Sequence, residues 1–139
     1  ERVGIRLSPF GVFNDMPLYP KMDADYTYLG EQFGKLRLAY LHIVDHSAMG
    51  APEVPEHIKD AMREAFQGPT ILAGGYDPQR AQADLDAGKA ELIAVARAFL
   101  ANPDLPRRRR QTLPLNEPDM GAFYTPGEKG YTDYPAYSA

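Results

Sequence analysis

The residues best suited to bind a charged ligand follow short apolar runs. Gly74 and Gly75 come directly after one such run, and Arg97 comes after another. Glycines let backbone N–H groups approach a phosphate closely, and the N-terminus of a following helix adds a favourable dipole. An arginine can add two-pronged, charged hydrogen bonds. The pattern predicts a phosphate site, and it is equally typical of a tight strand-to-helix turn with a surface arginine.

Arg6 lies inside an apolar run near the start of the chain. We expect its side chain to be buried, and a buried arginine needs a partner. Two partners fit equally well at this point. One is an anionic ligand, and the other is an internal carboxylate such as that of Asp45.

The other polar clusters favour structural roles. His42, Asp45 and His46 resemble a metal cluster, but residues three apart on a strand face opposite sides, so no metal site is predicted. The basic run 107–110 is interpreted as a solvated helix end, because the chain is acidic overall. We expect packing for most tyrosines of the C-terminal tail, one of which could line a pocket: Tyr124, Tyr131, Tyr134 and Tyr137.

Composition excludes several classes of protein. The chain has 139 residues, is 44% hydrophobic, and carries 15 basic and 19 acidic residues, which gives a net charge of −4. This balance argues against nucleic-acid binding as the main function. The absence of cysteine excludes disulfides, thiolate zinc sites and a cysteine nucleophile. No apolar run approaches the roughly 20 residues of a membrane span, and we expect no signal peptide. The missing initiator Met suggests that the chain begins inside a larger protein.

Alternating apolar runs and helical patterns predict the elements that must position these residues. We expect strands at 3–7, 39–44, 70–73 and 92–95. Asp23 is predicted to cap a helix that runs to about Arg37, a second helix spans 56–67, and Asp77 caps a third that ends before Gly88. A short helix begins at Arg97, breaks at 102–104 and restarts. An irregular extension follows from about residue 111.

Strands that alternate with helices favour parallel pairing through right-handed crossovers. The strands lack polar alternation, as expected when both faces of a sheet are buried. Two α/β architectures fit: a small doubly wound sheet, or half of an eight-stranded barrel. The second would need another half to pair its two open edges.

Several motifs together resemble the old yellow enzyme family, particularly bacterial N-ethylmaleimide reductases and nitrate-ester reductases. Each motif is weak alone, but their order and spacing along the whole chain are specific. The motifs are VGIRLSP at 3–9, YLH at 40–42, AGGY at 73–76, AVAR at 94–97, ANPDL at 101–105, and FY followed by GYTDYP at 123–135.

The resemblance implies a flavin-dependent (β/α)8 barrel about twice this length. Residues 1–110 would be its C-terminal half, strands five to eight, and 111–139 an extension over the barrel mouth. The family uses FMN, reduced by NADPH or NADH, to reduce activated alkenes or nitro compounds. By position in the motifs, Arg6 matches the arginine at the flavin ring, and Tyr124 an aromatic residue of the substrate pocket. The phosphate would be held by Ala73, Gly74, Gly75, Ala96 and Arg97, with Ala96 replacing the glycine of many members.

The family's substrate-holding His-His or His-Asn pair and its proton-donating tyrosine lie on earlier strands, and neither motif occurs here. The resemblance therefore implies no catalytic residue in this chain and no activity without the N-terminal half of the barrel, as a second chain or a missing portion. It also implies a cytoplasmic protein that contacts neither nucleic acid nor membrane. Two alternatives are a sugar-phosphate isomerase or aldolase, and a non-catalytic half-barrel that assembles with a partner or with itself.

Overall fold

One parallel sheet organises the first two thirds of the chain. In the computed structural model, which describes residues 2–138, four strands pair in the order in which they occur along the sequence. They are β1 (Ile5–Leu7), β2 (Leu41–Val44), β3 (Thr70–Ala73) and β4 (Leu92–Ala94). The four predicted strands are confirmed, although β1 and β2 each begin two residues later than expected.

The strand order decides between the two predicted architectures. A doubly wound sheet reverses its strand order at one point and carries helices on both faces. Within residues 2–138 the order is β1-β2-β3-β4 without reversal, and each pair is parallel. The doubly wound alternative is therefore wrong, and the sheet is wound in one direction only.

Five helices and two short 3-10 turns connect and follow the strands in the described residues. The helices are α1 (Met22–Lys35), α2 (Glu56–Phe66), α3 (Pro78–Asp86), α4 (Arg97–Ala101) and α5 (Leu105–Gln111). The 3-10 turns are Ser47–Met49 and Met120–Ala122. The break predicted at 102–104 separates α4 from α5. After Gln111 the described chain is irregular apart from the second 3-10 turn, as expected.

The helix ends confirm one predicted cap and correct another. The side chain of Asp77 accepts a hydrogen bond from the backbone N–H of Arg80 at 2.8 Å, as an N-cap should. The prediction for Asp23 was wrong, because α1 begins at Met22 and its N-cap is Lys21, two residues before Asp23. Asp23 lies instead in the first turn, where its carboxylate contacts His57 of α2 at 2.9 Å.

The hydrophobic core lies on one face of the sheet. Alternate strand residues, among them Leu41, Ile43 and Leu72, pack with residues of α1 and α2 such as Tyr26, Ile58 and Met62. Full burial of one such aliphatic side chain contributes about 2 kcal/mol relative to exposure. The core thus joins the sheet to helices on one side.

The opposite face of the sheet is not covered by these helices. A single row in register crosses it, formed by Arg6, His42, Ile71 and Leu92. Leu92 is 56% exposed, Arg6 is exposed, and the other two are half-buried. The expectation that both faces are buried is therefore wrong for the described residues, because all the crossovers place their helices on the same side.

Two glycines allow α1 to approach α2 closely. A Cβ on Gly30 would lie 2.8 Å from the carbonyl oxygen of Met62, and one on Gly34 would lie 2.5 Å from that of Phe66. Backbone atoms cannot move aside as a flexible side chain can. The helix pair that backs the sheet therefore depends on the absence of side chains at these two positions.

The chain divides after Ala94 into two compact units. The first contains the sheet with α1, α2 and α3, and the second contains α4, α5 and the C-terminal extension. No helix within residues 2–138 is long and apolar enough to cross a membrane.

Candidate functional site

The turn after β3 has a backbone that requires glycine. Gly74 and Gly75 have φ values of +127° and +61°, which side-chain-bearing residues rarely adopt. A Cβ on Gly74 would also collide with the backbone oxygen of Asp45. In the described chain, the N–H groups of Gly75 and Tyr76 donate to no backbone carbonyl. The turn therefore presents unused donors at the carboxyl end of the strand, directly after Ala73.

Arg6 differs from its predicted environment. Its side chain is exposed rather than buried, because it points to the sheet face that no helix covers. Within residues 2–138 it makes no salt bridge, and Asp45 has other partners. The internal carboxylate that was predicted as a partner of Arg6 is therefore not its partner in this structure.

His42 is the neighbour of Arg6 on β2. Its Nε2 atom is buried and has no hydrogen-bond partner among the described residues. Burial and then the positive charge of Arg6 lower the pKa of His42, so the ring is neutral at physiological pH. The same two causes lower the pKa of His46, whose ring meets Phe13 edge-on at 5.1 Å between centroids.

Asp45 organises the loop between β2 and α2. Its carboxylate accepts hydrogen bonds from the N–H groups of Ser47 at 2.9 Å and Val54 at 3.3 Å. Lys59 places its Nζ 3.8 Å from the same carboxylate, and both side chains are only 6% exposed. The aspartate therefore has a structural role, as predicted. In the described residues no three side chains of the metal-ligating types come together.

A continuous chain of polar contacts leads from Asp45 back to the glycine turn. Lys59 contacts Glu56 at 2.6 Å, and Glu56 contacts Lys89 at 3.4 Å. Lys89 lies 3.1 Å from Asp84, which accepts a hydrogen bond from the Tyr76 hydroxyl at 2.9 Å. We call this set the polar chain: Asp45, Lys59, Glu56, Lys89, Asp84 and Tyr76.

The ionisation of the polar chain agrees with these contacts. Burial, and then the hydrogen bond to Asp84, raise the pKa of Tyr76, so the phenol stays protonated. Burial alone would raise the pKa of Asp84, but the hydrogen bonds from Tyr76 and Lys89 lower it. The hydrogen bond to Asp84 and the charge of Glu56 raise the pKa of Lys89. The Asp84 carboxylate and the Lys89 ammonium group are therefore charged at neutral pH.

The remaining predicted site residues lie in the second compact unit. Arg97 is half-buried at the start of α4 and makes no salt bridge within the described residues. Ala96, its N-cap, is exposed. Tyr124 is 94% exposed, so its ring packs against almost nothing in this unit.

The structure corrects the expectation for the tail tyrosines. Tyr124 and Tyr131 are exposed, whereas Tyr134 and Tyr137 are half-buried. The hydroxyl oxygen of Tyr134 accepts a hydrogen bond from the N–H of Asp119 at 2.7 Å. Packing therefore holds for two of the four tyrosines.

Arg108 is the residue that the sequence interpretation missed. The solvated helix end is confirmed for Arg107 and Arg110, but Arg108 is only 3% exposed. Its guanidinium contacts the Asp104 carboxylate at 2.6 Å and donates to the carbonyl oxygens of Pro114 and Pro135, both at 2.8 Å. Asp104 lies four residues earlier, a spacing that indicates an intrahelical pair, but the two carbonyl partners have no sequence signal.

The chain belongs to the α/β class: its parallel sheet is wound in one direction and carries a glycine turn at the carboxyl end of β3. A family model described as the NADH:flavin oxidoreductase / NADH oxidase family matches residues 1–116. The chain belongs to this family, which is that of the old yellow enzymes.

Individual relatives agree with this assignment. The chain is 37% identical to 12-oxophytodienoate reductase 2 of Arabidopsis thaliana, over 98% of this chain and 37% of the relative. It is 38% identical to a chanoclavine-I aldehyde reductase of Penicillium roqueforti, over 100% of this chain and 39% of the relative. The chain thus spans little more than a third of the length of these proteins. The expectation of a family protein about twice as long as this chain was therefore wrong, because the relatives are longer than that.

Solved structures with the same fold are similar over the whole chain. Morphinone reductase superposes with a TM-score of 0.88 at 43% identity, covering 97% of this chain and 36% of that one. The old yellow enzyme of Trypanosoma cruzi gives a TM-score of 0.84 at 33% identity, covering 98% and 35%. Family membership excludes the sugar-phosphate isomerase or aldolase as an alternative.

Proposed function

We propose that this chain is the C-terminal half, strands five to eight, of an FMN-dependent barrel that reduces activated C=C bonds of enones or maleimides, or nitro compounds. The observation that carries the proposal is the one-directional sheet with an uncovered face and two open edges. Such a sheet becomes a closed barrel when further strands pair with both edges. Coverage of little more than a third of each relative supports the same conclusion.

The residues present fit an anionic cofactor. The glycine turn offers N–H donors that the described chain does not use, and Arg6 and Arg97 have no carboxylate partner in it. The unpartnered Nε2 of His42 lies beside Arg6 in the sheet. Of these features, the Nε2 of His42 is the one that is costly if nothing polar binds there, because it is buried and a buried polar atom needs a partner.

The roles of individual residues follow from this proposal. FMN, when bound, supplies hydride transfer from NADPH or NADH to the activated double bond. Arg6 would hold the flavin ring and favour negative charge on it. Tyr124 would line the substrate pocket. The phosphate would be held by Ala73, Gly74, Gly75, Ala96 and Arg97.

The chain is expected to need the rest of the barrel for activity. It would depend on N-terminal strands, supplied by a second chain or by the same one, for binding the substrate oxygen and for protonation. A hybrid reductase tests this: morphinone reductase in which the 36% that this chain covers is replaced by this chain. We expect flavin absorption bands and reduction of a cyclic enone by NADH or NADPH from the hybrid, and neither from the chain alone. A folded but colourless hybrid, or turnover by the chain alone, would contradict the proposal.

Removal of the Arg97 guanidinium is expected to weaken FMN binding. A charged hydrogen bond to phosphate contributes about 1.5–3 kcal/mol, so Arg97→Ala in the hybrid reductase should raise the dissociation constant of FMN roughly 10- to 100-fold. Fluorescence titration measures this constant directly. Arg110→Ala is the matched control, because Arg110 is exposed on α5. An unchanged FMN affinity in Arg97→Ala would remove Arg97 from the phosphate site.

A further inference from the structure

We infer that Tyr76 and Asp84 are positioning residues that hold the glycine turn in the conformation that binds phosphate. The inference deepens the proposed function and rests on it. The turn consists of two consecutive glycines with positive φ, and glycine loses more conformational freedom on ordering than any other residue. A phosphate-binding turn of this kind gains affinity when other residues order it before the ligand arrives.

The polar chain restrains the glycine turn at both ends. At the start, the backbone oxygen of Asp45 abuts Gly74, and the N–H of Asp45 donates to the carbonyl oxygen of Ala73 at 2.8 Å. At the end, the Tyr76 hydroxyl is tied to Asp84 of α3 at 2.9 Å. The first restraint belongs to β2 and the second to α3, so the turn cannot rotate without breaking one of them.

The two restraints are connected through charged groups that are buried at the two ends of the polar chain and half-exposed in its middle, where Lys89 is 38% and Glu56 is 50% exposed. Lys59 and Asp45 are each 6% exposed, and the Asp84 side chain is 12% exposed. Separating a buried pair such as Lys59 and Asp45 would leave each charge poorly solvated. This cost opposes local opening of the structure around the turn. Motion of α3 relative to the loop after β2 is therefore opposed by contacts through Lys89 and Glu56.

The charges of the polar chain are balanced where the phosphate would bind. Its three carboxylates face two lysines, and Arg80 supplies the third cation. The Nε of Arg80 lies 3.9 Å from Asp84, and its guanidinium lies 4.4 Å from the centre of the Tyr76 ring. An acidic tether would repel an anion at the turn, whereas this neutral set holds Tyr76 without that penalty.

A comparison of FMN with riboflavin, which lacks the phosphate, tests the inference in the hybrid reductase. Tyr76→Phe keeps the ring and removes only the hydroxyl, and Asp84→Asn removes the charge. A hydrogen bond to a charged group contributes enough to expect about a tenfold loss of FMN affinity in each variant. Riboflavin affinity should change less than twofold, because the turn would contact only the phosphate, which riboflavin lacks.

Matched controls separate positioning from general destabilisation. Tyr28→Phe alters a tyrosine that is 60% exposed, and Asp86→Asn alters an exposed carboxylate on the same helix as Asp84. Both should keep the preference for FMN. Lys89→Met is a second variant in case Asp84→Asn fails to fold. The Lys89 side chain is 38% exposed, so the substitution interrupts the polar chain at a partly solvated position. It should also lower FMN affinity.

The outcomes distinguish this inference from the proposed function. If the parent hybrid binds riboflavin as tightly as FMN, the phosphate site itself is wrong, and the inference fails with it. If the parent prefers FMN and Tyr76→Phe keeps that preference, the positioning role is wrong while the proposed function stands. An equal loss of both ligands in Tyr76→Phe would mean a purely structural role and would also overturn the inference.

Discussion

A Gly74→Ala variant is expected to lose FMN binding by about two orders of magnitude. The residue has a φ of +127°, where an L-amino acid is strained by about 1–3 kcal/mol. The added methyl group would also collide with the backbone oxygen of Asp45, which cannot rotate away. The turn can relieve both only by moving away from β2, and this displaces the N–H groups that would contact phosphate. A cost of about 3 kcal/mol corresponds to roughly a hundredfold in the dissociation constant.

Titration of the hybrid reductase with FMN measures this loss, and thermal unfolding of the same samples measures stability. Gly127→Ala is the matched control, because Gly127 also has a positive φ, +101°, but open space around its Cβ position. The Gly127→Ala control should lose thermal stability because of backbone strain, but it should keep its FMN affinity. Wild-type affinity in Gly74→Ala would mean that the turn does not contact the cofactor in its observed conformation.

An Arg108→Met variant is expected to release the C-terminal extension from α5. The methionine keeps the apolar stem and removes the guanidinium that joins the Asp104 carboxylate to the carbonyl oxygens of Pro114 and Pro135. These partners then lose a charged donor whose own side chain is only 3% exposed. Breaking a buried charged contact of this kind costs roughly 3 kcal/mol. The loss should concentrate in the second compact unit.

Hydrogen exchange of the chain itself locates the effect of Arg108→Met. The N–H of Tyr137 donates to Asp104 at 3.0 Å, and that of Leu113 to the carbonyl oxygen of residue 108 at 2.9 Å. Both amides should exchange about a hundredfold faster in the variant, since local protection follows the free energy of opening. Arg110→Met, at an exposed position on the same helix, should leave both rates unchanged. Equal effects of the two substitutions would show that Arg108 is not the link between the extension and α5.

The uncovered face of the sheet carries two of the residues that bear on cofactor binding, Arg6 and His42. Arg6 and His42 share a row with Ile71 and Leu92. A cation and an unpartnered imidazole therefore lie beside apolar side chains on a surface without its own cover. The exposed apolar side chain of Leu92 and the buried, unpartnered Nε2 of His42 are unfavourable as they stand, and the proposed barrel would cover this face. For this reason the hybrid reductase, rather than the chain alone, is the appropriate protein for cofactor measurements.

The sequence alone determined the elements of the fold and the positions of the glycine turn. The short run at 70–73, closed by two glycines, predicts β3 at its observed bounds, and Asp77 with Pro78 predicts the start of α3, because both signals act through neighbouring residues. The motifs at 3–9, 73–76 and 94–97 were sufficient for the family resemblance, which the family model confirms.

Only the tertiary structure decided which residues pair across the chain. Arg6 is exposed because every crossover places its helix on the same side of the sheet, and strand periodicity does not specify that side. Arg108 is buried while Arg107 and Arg110 are not, because its partners come from segments 6 and 27 residues away. The polar chain likewise joins residues up to 33 positions apart. Such contacts depend on how the elements pack, and a local pattern of residue types carries no information about that packing.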